Sequence, residues 1–145
     1  MLKVLVAVDG TSNCRHAVLH MLGEFKRNPA LEIHLLNVQR PFSGSVTRFI
    51  DRETIQAAHQ EASDAALQPF SQMLDAAGAP YSVHSAVGEK AVSIVAAAQR
   101  LGCDHIVIST VRKNSLVRAI EGSVTNQLLE LTTVPVVAIA GSAAE

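Results

Sequence analysis

The 145-residue sequence is poor in aromatic side chains and has no excess of either charge. It contains no tryptophan, one tyrosine and four phenylalanines, and its 12 Lys and Arg residues nearly balance 13 Asp and Glu residues. Proteins that bind single-stranded nucleic acid stack bases on aromatic side chains and use basic surfaces, so neither this class nor another nucleic-acid partner is expected. With 48% hydrophobic residues, residues 1–145 are expected to form one domain with a sizeable core.

Cysteines are few, and long hydrophobic runs are missing. Cys14 and Cys103 lie far apart and form no Cys-x-x-Cys pair, so we interpret them as reduced thiols. The apolar run at the N-terminus is interrupted by Asp9, which makes it too short for a membrane span and leaves no signal-peptide cleavage region. These features predict a cytoplasmic protein without a membrane segment.

Five short apolar segments predict strands, and segments with helical periodicity separate them. The predicted strands are Val4–Val8, Glu32–Val38, Ser82–Val87, His105–Ser109 and Val136–Ile139. The longest predicted helix runs from about residue 52 to 77 and contains Pro69, which we expect to bend or break it. Strands that alternate with helices indicate crossover connections and a parallel sheet with helices on both faces.

We therefore predict an α/β fold with a doubly wound five-stranded parallel sheet, and we expect the strand order 3-2-1-4-5. Ligands of such sheets bind beyond the carboxyl ends of the strands, where the strand order reverses. The loops that matter are those after Val8, Val38, Val87 and Ile108.

Two of these loops contain residues suited to a phosphorylated ligand. Gly122 and Ser123 stand at a predicted helix start, where unpaired N–H groups attract phosphate and a hydroxyl can add a hydrogen bond. Ser123 could equally cap its own helix. Asp9 ends the first strand and could accept hydrogen bonds from an amine or from sugar hydroxyls, or it could cap the first helix. The residues alone leave both pairs of alternatives open.

Several segments resemble the universal stress protein family, and the resemblance extends from residue 2 to about 140. The first is Lys3-Val-Leu-Val-Ala-Val-Asp-Gly-Thr-Ser12, the second is Gly88 before a helix with Ser93-Ile-Val-Ala-Ala97, and the third is Gly122-Ser-Val124 followed by Val134-Pro-Val-Val137. The resemblance implies a stress-response module that binds ATP or AMP, with no defined turnover chemistry. It places the base near Asp9 and Val38 and the phosphates near Ser109, Arg112, Gly122, Ser123 and Val124.

The predicted phosphate loop departs from the family pattern. In the nucleotide-binding branch the loop reads glycine, two residues, glycine, nine residues, glycine and Ser or Thr. Here Ser109 and Arg112 occupy the first two glycine positions, and only Gly122-Ser123 matches. The Arg112 side chain could obstruct the space that the backbone needs, or it could bind phosphate from the side. Some family members lack the pattern and are thought not to bind ATP.

The fifth predicted strand indicates how the chain assembles. It is apolar and contains Pro135, which suits the edge of a sheet. Because an apolar edge needs a partner, we predict a homodimer through this strand, with interface residues Val134, Val136, Val137, Ala138 and Ile139. Two alternatives remain: a nucleotide-hydrolysing or nucleotidyl-transferring enzyme on the same fold, or an interaction module with a vestigial pocket and an unknown protein partner.

The remaining candidate residues do not predict a reaction or a metal site. His16 and His20 are four residues apart on one predicted helix, but no third ligand is evident, so we interpret them as surface or packing residues. Cys14 lies close to a predicted helix start, which would lower its pKa. Since no nucleophile, base and orienting group stand together, no catalytic residue is assigned.

Overall fold

The computed structural model describes residues 2–111 and 124–141, with the backbone alone for residues 111 and 141. Its five strands are β1 (Lys3–Ala7), β2 (Glu32–Gln39), β3 (Tyr81–Val87), β4 (His105–Val111) and β5 (Val136–Gly141). All pairings are parallel, and the order is β3-β2-β1-β4-β5. The predicted fold and strand order are confirmed.

Helices connect the strands. They are α1 (Arg15–Arg27), preceded by a short 3-10 helix (Ser12–Cys14), α2 (Gly44–Thr47), α3 (Arg52–Ala76) and α4 (Lys90–Leu101). A fifth helix, α5, occupies residues 124–131 among those described. No helix in the described part of the chain is long and apolar enough to cross a membrane.

Alternating residues of the central strands supply two separate cores. Val4, Val6 and Leu35 belong to the cluster that packs with α1 and α3. Leu5 and Leu36 belong to the cluster on the opposite face, which packs with α4 and α5. Because successive side chains of a strand point to opposite faces, the continuous apolar sequence of β1 is explained by burial on both sides.

Helix α3 continues through Pro69, so the long predicted helix is confirmed as one element and the proline does not break it. Proline inside a helix costs about 3 kcal/mol, since it removes one backbone hydrogen bond and crowds the preceding turn. Leu67, Phe70 and Leu74 are all buried on the apolar side of this helix. Burial of such side chains contributes about 1.5–3 kcal/mol each, which is enough to hold the helix together on both sides of the proline.

Candidate functional site

Asp9 lies where β1 ends, beside the point at which the strand order reverses. Its Oδ1 accepts hydrogen bonds from the Thr11 amide at 2.9 Å, the Thr11 hydroxyl at 2.7 Å and the Cys14 thiol at 3.1 Å. An Asp side chain that accepts from the backbone two residues on organises a turn. One carboxylate oxygen of Asp9 therefore stabilises the turn that precedes the 3-10 helix.

The second carboxylate oxygen of Asp9 faces a lysine. Its Oδ2 lies 3.9 Å from Nζ of Lys90, and 42% of the Asp9 side chain remains exposed. Partial burial opposes ionisation of Asp9, but the hydrogen bonds from Thr11 and Cys14 and the charge of Lys90 outweigh it and lower its pKa. Asp9 therefore presents an ionised oxygen at the carboxyl edge of the sheet, as an acceptor site for ligand N–H or O–H groups requires.

The turn after Asp9 depends on a glycine. Gly10 has a φ of +88°, and a Cβ atom there would lie 3.2 Å from both Cα and Cβ of Ala66 in α3. Residues that carry a side chain rarely adopt this backbone conformation. Gly10 thus allows the chain to turn sharply against α3 and to place Asp9 at the sheet edge.

Two predicted site residues pack on the same side of the sheet. Val38 lies in β2 and Val124 is the first described residue of α5, and both pack against the core cluster of the α4 and α5 face. The structure thus gives both valines a packing role. Their contact with a ligand remains a prediction.

Ser109 lies in β4 on the other face of the sheet. Its side chain points to the opposite face from that of Ile108 and to the same face as that of Val107, which belongs to the core cluster of α1 and α3. Its Oγ is buried without a hydrogen-bond partner, and so is Oδ1 of Asn13 in the 3-10 helix, which contacts β4. The side chain of Ser109 therefore lies on the face of the sheet that packs with α1 and α3, and its contact with a phosphate remains a prediction. Arg112, Gly122 and Ser123 lie outside the described residues.

Strand β5 is an edge of the sheet, as predicted. Val137 and Ile139 pack against the cluster of α1 and α3, whereas Val134 and Val136 pack against the opposite cluster. Ala138 is exposed. Four of the five predicted interface residues are thus partly buried against the protein's own core, and Ala138 is the most exposed of the five.

The predicted lowering of the Cys14 pKa is wrong. The side chain is 4% exposed, and burial raises the pKa of its thiol to about 11, with the Asp9 carboxylate acting in the same direction. Cys14 does precede α1, but its sulfur points into the core and toward a negative charge. It is a hydrogen-bond donor to Asp9, not a reactive thiolate.

The structure adds one residue that the sequence did not reveal. Lys90, at the start of α4, is 81 positions from Asp9 in sequence and meets it only because the ends of β1 and β3 lie at the same sheet edge. No local pattern could have identified this pair. Within residues 2–111 and 124–141, no three His, Cys, Asp or Glu side chains group as a metal site would require.

Comparison with known proteins identifies the class to which this fold and site belong. The sequence model of the universal stress protein family matches residues 1–140. This chain is a member of the universal stress protein family. A search of curated proteins found no match.

Solved structures share the fold at low sequence identity. A universal stress protein from Lactobacillus plantarum is 21% identical with a TM-score of 0.74, covering 95% of this chain and 97% of its own. A family member from Arabidopsis thaliana, solved with AMP bound, is 20% identical with a TM-score of 0.69, covering 99% and 94%. A universal stress protein in complex with cAMP is 18% identical with a TM-score of 0.73, covering 95% and 96%.

Proposed function

We propose that this protein is a stress-response module that binds an adenine nucleotide at the carboxyl ends of β1 and β4, without turning it over. The observation that carries the proposal is the Asp9 carboxylate. It is fixed by Thr11 and Cys14, and it directs a second oxygen toward the exposed sheet edge. Open parallel sheets bind their ligands at this place.

The solved relatives support an adenine nucleotide as the ligand. One was solved with AMP and another with cAMP, and both match this chain over nearly its full length. An adenine amine or a ribose hydroxyl would donate to Oδ2 of Asp9. Val38 and Val124 would line the side of the pocket formed by the α4 and α5 face.

The phosphate groups would be held less firmly than in relatives with three loop glycines. Each glycine replaced by a larger residue removes a place where a backbone N–H can approach phosphate closely. Ser109 and Arg112 stand at two such positions. We infer that Arg112 obstructs the approach, so ATP and AMP should bind weakly and Arg112→Gly should tighten binding.

Titration calorimetry with AMP and ATP tests this function. Wild-type protein should release heat with both, Gly122→Asp should abolish binding by adding bulk and charge at the helix start, and Ser123→Ala should cost about 1 kcal/mol. Asp9→Asn, which keeps the size of the side chain but not its charge, should weaken the binding of both AMP and ATP. If neither wild type nor Arg112→Gly binds at millimolar nucleotide, the protein is an interaction module with a vestigial pocket.

We further propose that the chain is one domain that works in the cytoplasm as a homodimer paired through β5. The family match over residues 1–140 supports a single domain. The edge position of β5 and the exposure of Ala138 support pairing with a second copy, because an unpaired edge strand invites another strand.

A further inference from the structure

A second groove opens at the carboxyl ends of β2 and β3, on the sheet face packed with α3. Its volume is about 370 Å³, within the range of small-molecule clefts. The polar residues that line it are Gln39, Gln56, His59, Gln60, Ser63 and Ser85. None of them carries a permanent charge, so the groove is suited to a neutral ligand that forms hydrogen bonds.

The amide orientation of Gln39 is set by a chain of hydrogen bonds. Nδ2 of Asn37 donates to the Val8 carbonyl at 2.9 Å, which leaves Oδ1 of Asn37 as an acceptor. Nε2 of Gln39 donates to that oxygen at 2.8 Å. Because an amide has one oxygen and one NH₂ group, Oε1 of Gln39 remains to accept a hydrogen bond from a ligand.

A carboxylate sets the orientation of the Gln60 side-chain amide. Its Nε2 donates to Oδ1 of Asp64 at 2.7 Å, and an ionised carboxylate only accepts. The amide oxygen of Gln60 is therefore a second acceptor beside the groove. Gln56 makes no side-chain hydrogen bond within the described part of the chain, so its amide can either donate to or accept from a ligand.

The two serines provide a donor. Oγ of Ser63 and Oγ of Ser85 are 2.5 Å apart, so one of the two hydroxyl hydrogens lies between them. The other hydrogen has no acceptor among the described residues. Ser85 is exposed, so its hydroxyl can donate the second hydrogen to a ligand carbonyl while it accepts from Ser63.

An aromatic contact borders the groove. The rings of Phe42 and His59 are stacked with centroids 4.4 Å apart and an interplanar angle of 23°, and the His59 ring lines the groove. Stacked rings offer a flat edge along which a planar ligand can pack.

The groove is separate from the nucleotide site proposed above. Ser85 bonds to α3 from strand β3, and β2 separates β3 from β1, after which Asp9 lies. The donors and acceptors of the groove therefore do not include Asp9. A ligand in this groove need not displace an adenine nucleotide near Asp9.

We propose that this groove binds a small, neutral, planar heterocycle with a urea-type edge, in which N–H groups flank a carbonyl, as in uracil. The N–H groups would donate to Oε1 of Gln39 and Oε1 of Gln60, and the carbonyl would accept from the serine pair. No existing hydrogen bond of the protein has to break for these contacts to form.

Titration of the full-length protein with uracil, followed by NMR and calorimetry, tests the proposal. Uracil should bind with a dissociation constant of about 1 mM, as expected for so small a ligand. 1,3-Dimethyluracil keeps both carbonyls but lacks both N–H groups, and it should bind at least tenfold more weakly. No binding of uracil, or equal binding of the two compounds, would overturn the proposal.

Matched variants locate the site. Ser85→Ala should weaken the binding of uracil about fivefold, the effect of one hydrogen bond. Ser82→Ala on the same strand should leave the affinity for uracil unchanged. Gln60→Leu, on the exposed surface of α3, gives an independent measurement if Ser85→Ala fails to fold. It should also weaken the binding of uracil about fivefold. Uracil should bind equally well to Asp9→Asn and in the presence of AMP. Competition by AMP, or no effect of either groove variant, would show that uracil binds elsewhere.

Discussion

Nδ1 of His34 lies 2.9 Å from Nε2 of His84, and Nε2 of His34 lies 2.7 Å from a carboxylate oxygen of Glu32. The carboxylate accepts, so Nε2 of His34 carries a hydrogen, and Nδ1 of a neutral His34 must accept from His84. His84 is thus held as a donor between two neighbouring strands. Burial lowers its pKa, and His34 and Arg100 act in the same direction.

This contact predicts a loss of stability in mild acid. The folded state binds a proton at His84 more weakly than the unfolded state, so the free energy of unfolding falls as the pH drops through the unfolded value of about 6.5. The loss ends once the pH is below the folded pKa. His84→Gln keeps an N–H donor but cannot titrate, and it should reduce this decline.

Urea unfolding at a series of pH values measures the effect. His105→Gln removes a histidine of β4 outside this contact and serves as the control. A decline as steep in His84→Gln as in wild type would contradict the prediction.

Both thiols should be unreactive in the folded protein. Burial raises the pKa of Cys14 and of Cys103 to about 11, so about one thiol in a thousand is ionised at pH 8. Mass spectrometry after brief iodoacetamide treatment should find native protein unlabelled and urea-unfolded protein labelled twice. Rapid labelling of native protein at either cysteine would show that its thiol is not buried as described.

Gly10→Ala should destabilise the protein by about 1–3 kcal/mol, the usual cost of a strained backbone conformation. The added Cβ would also lie 3.2 Å from Ala66, so α3 would have to shift. Gly44→Ala is the control, because a Cβ there meets nothing within 4 Å and φ is not positive. Chemical denaturation measures the free energy of unfolding of the two variants. Equal values for Gly10→Ala and Gly44→Ala would refute the role of Gly10.

A negative charge at Ala138 should prevent dimerisation. If β5 pairs with a second copy, Ala138→Asp buries an unpaired carboxylate in the interface, which is costly. Val83→Asp places the same charge on β3, the opposite sheet edge, where the side chain is 50% exposed. Sedimentation should show wild type and Val83→Asp as dimers and Ala138→Asp as monomer. A monomeric wild type at micromolar concentration would disprove the assembly.

The sequence by itself determined the five strands and the longer helices and their succession along the chain, because local periodicity contains that information. The unbroken apolar run of β1 predicted a strand buried on both faces, and the structure places its residues in both cores. Predicted strand bounds differ from the observed ones by one or two residues, as in β4, which continues past Ser109 to Val111. The long helix predicted over residues 52–77 is also confirmed, because packing holds α3 together through Pro69.

The tertiary structure decided everything that depends on side chains meeting from distant parts of the chain. The sequence placed Cys14 near a helix start, but only the fold showed that its thiol enters the core beside Asp9. Lys90 reaches Asp9, and Ser63 reaches Ser85, because strand order and helix packing bring them together. Such contacts leave no periodic trace in the sequence. Their hydrogen bonds and charges arise only when the chain has folded.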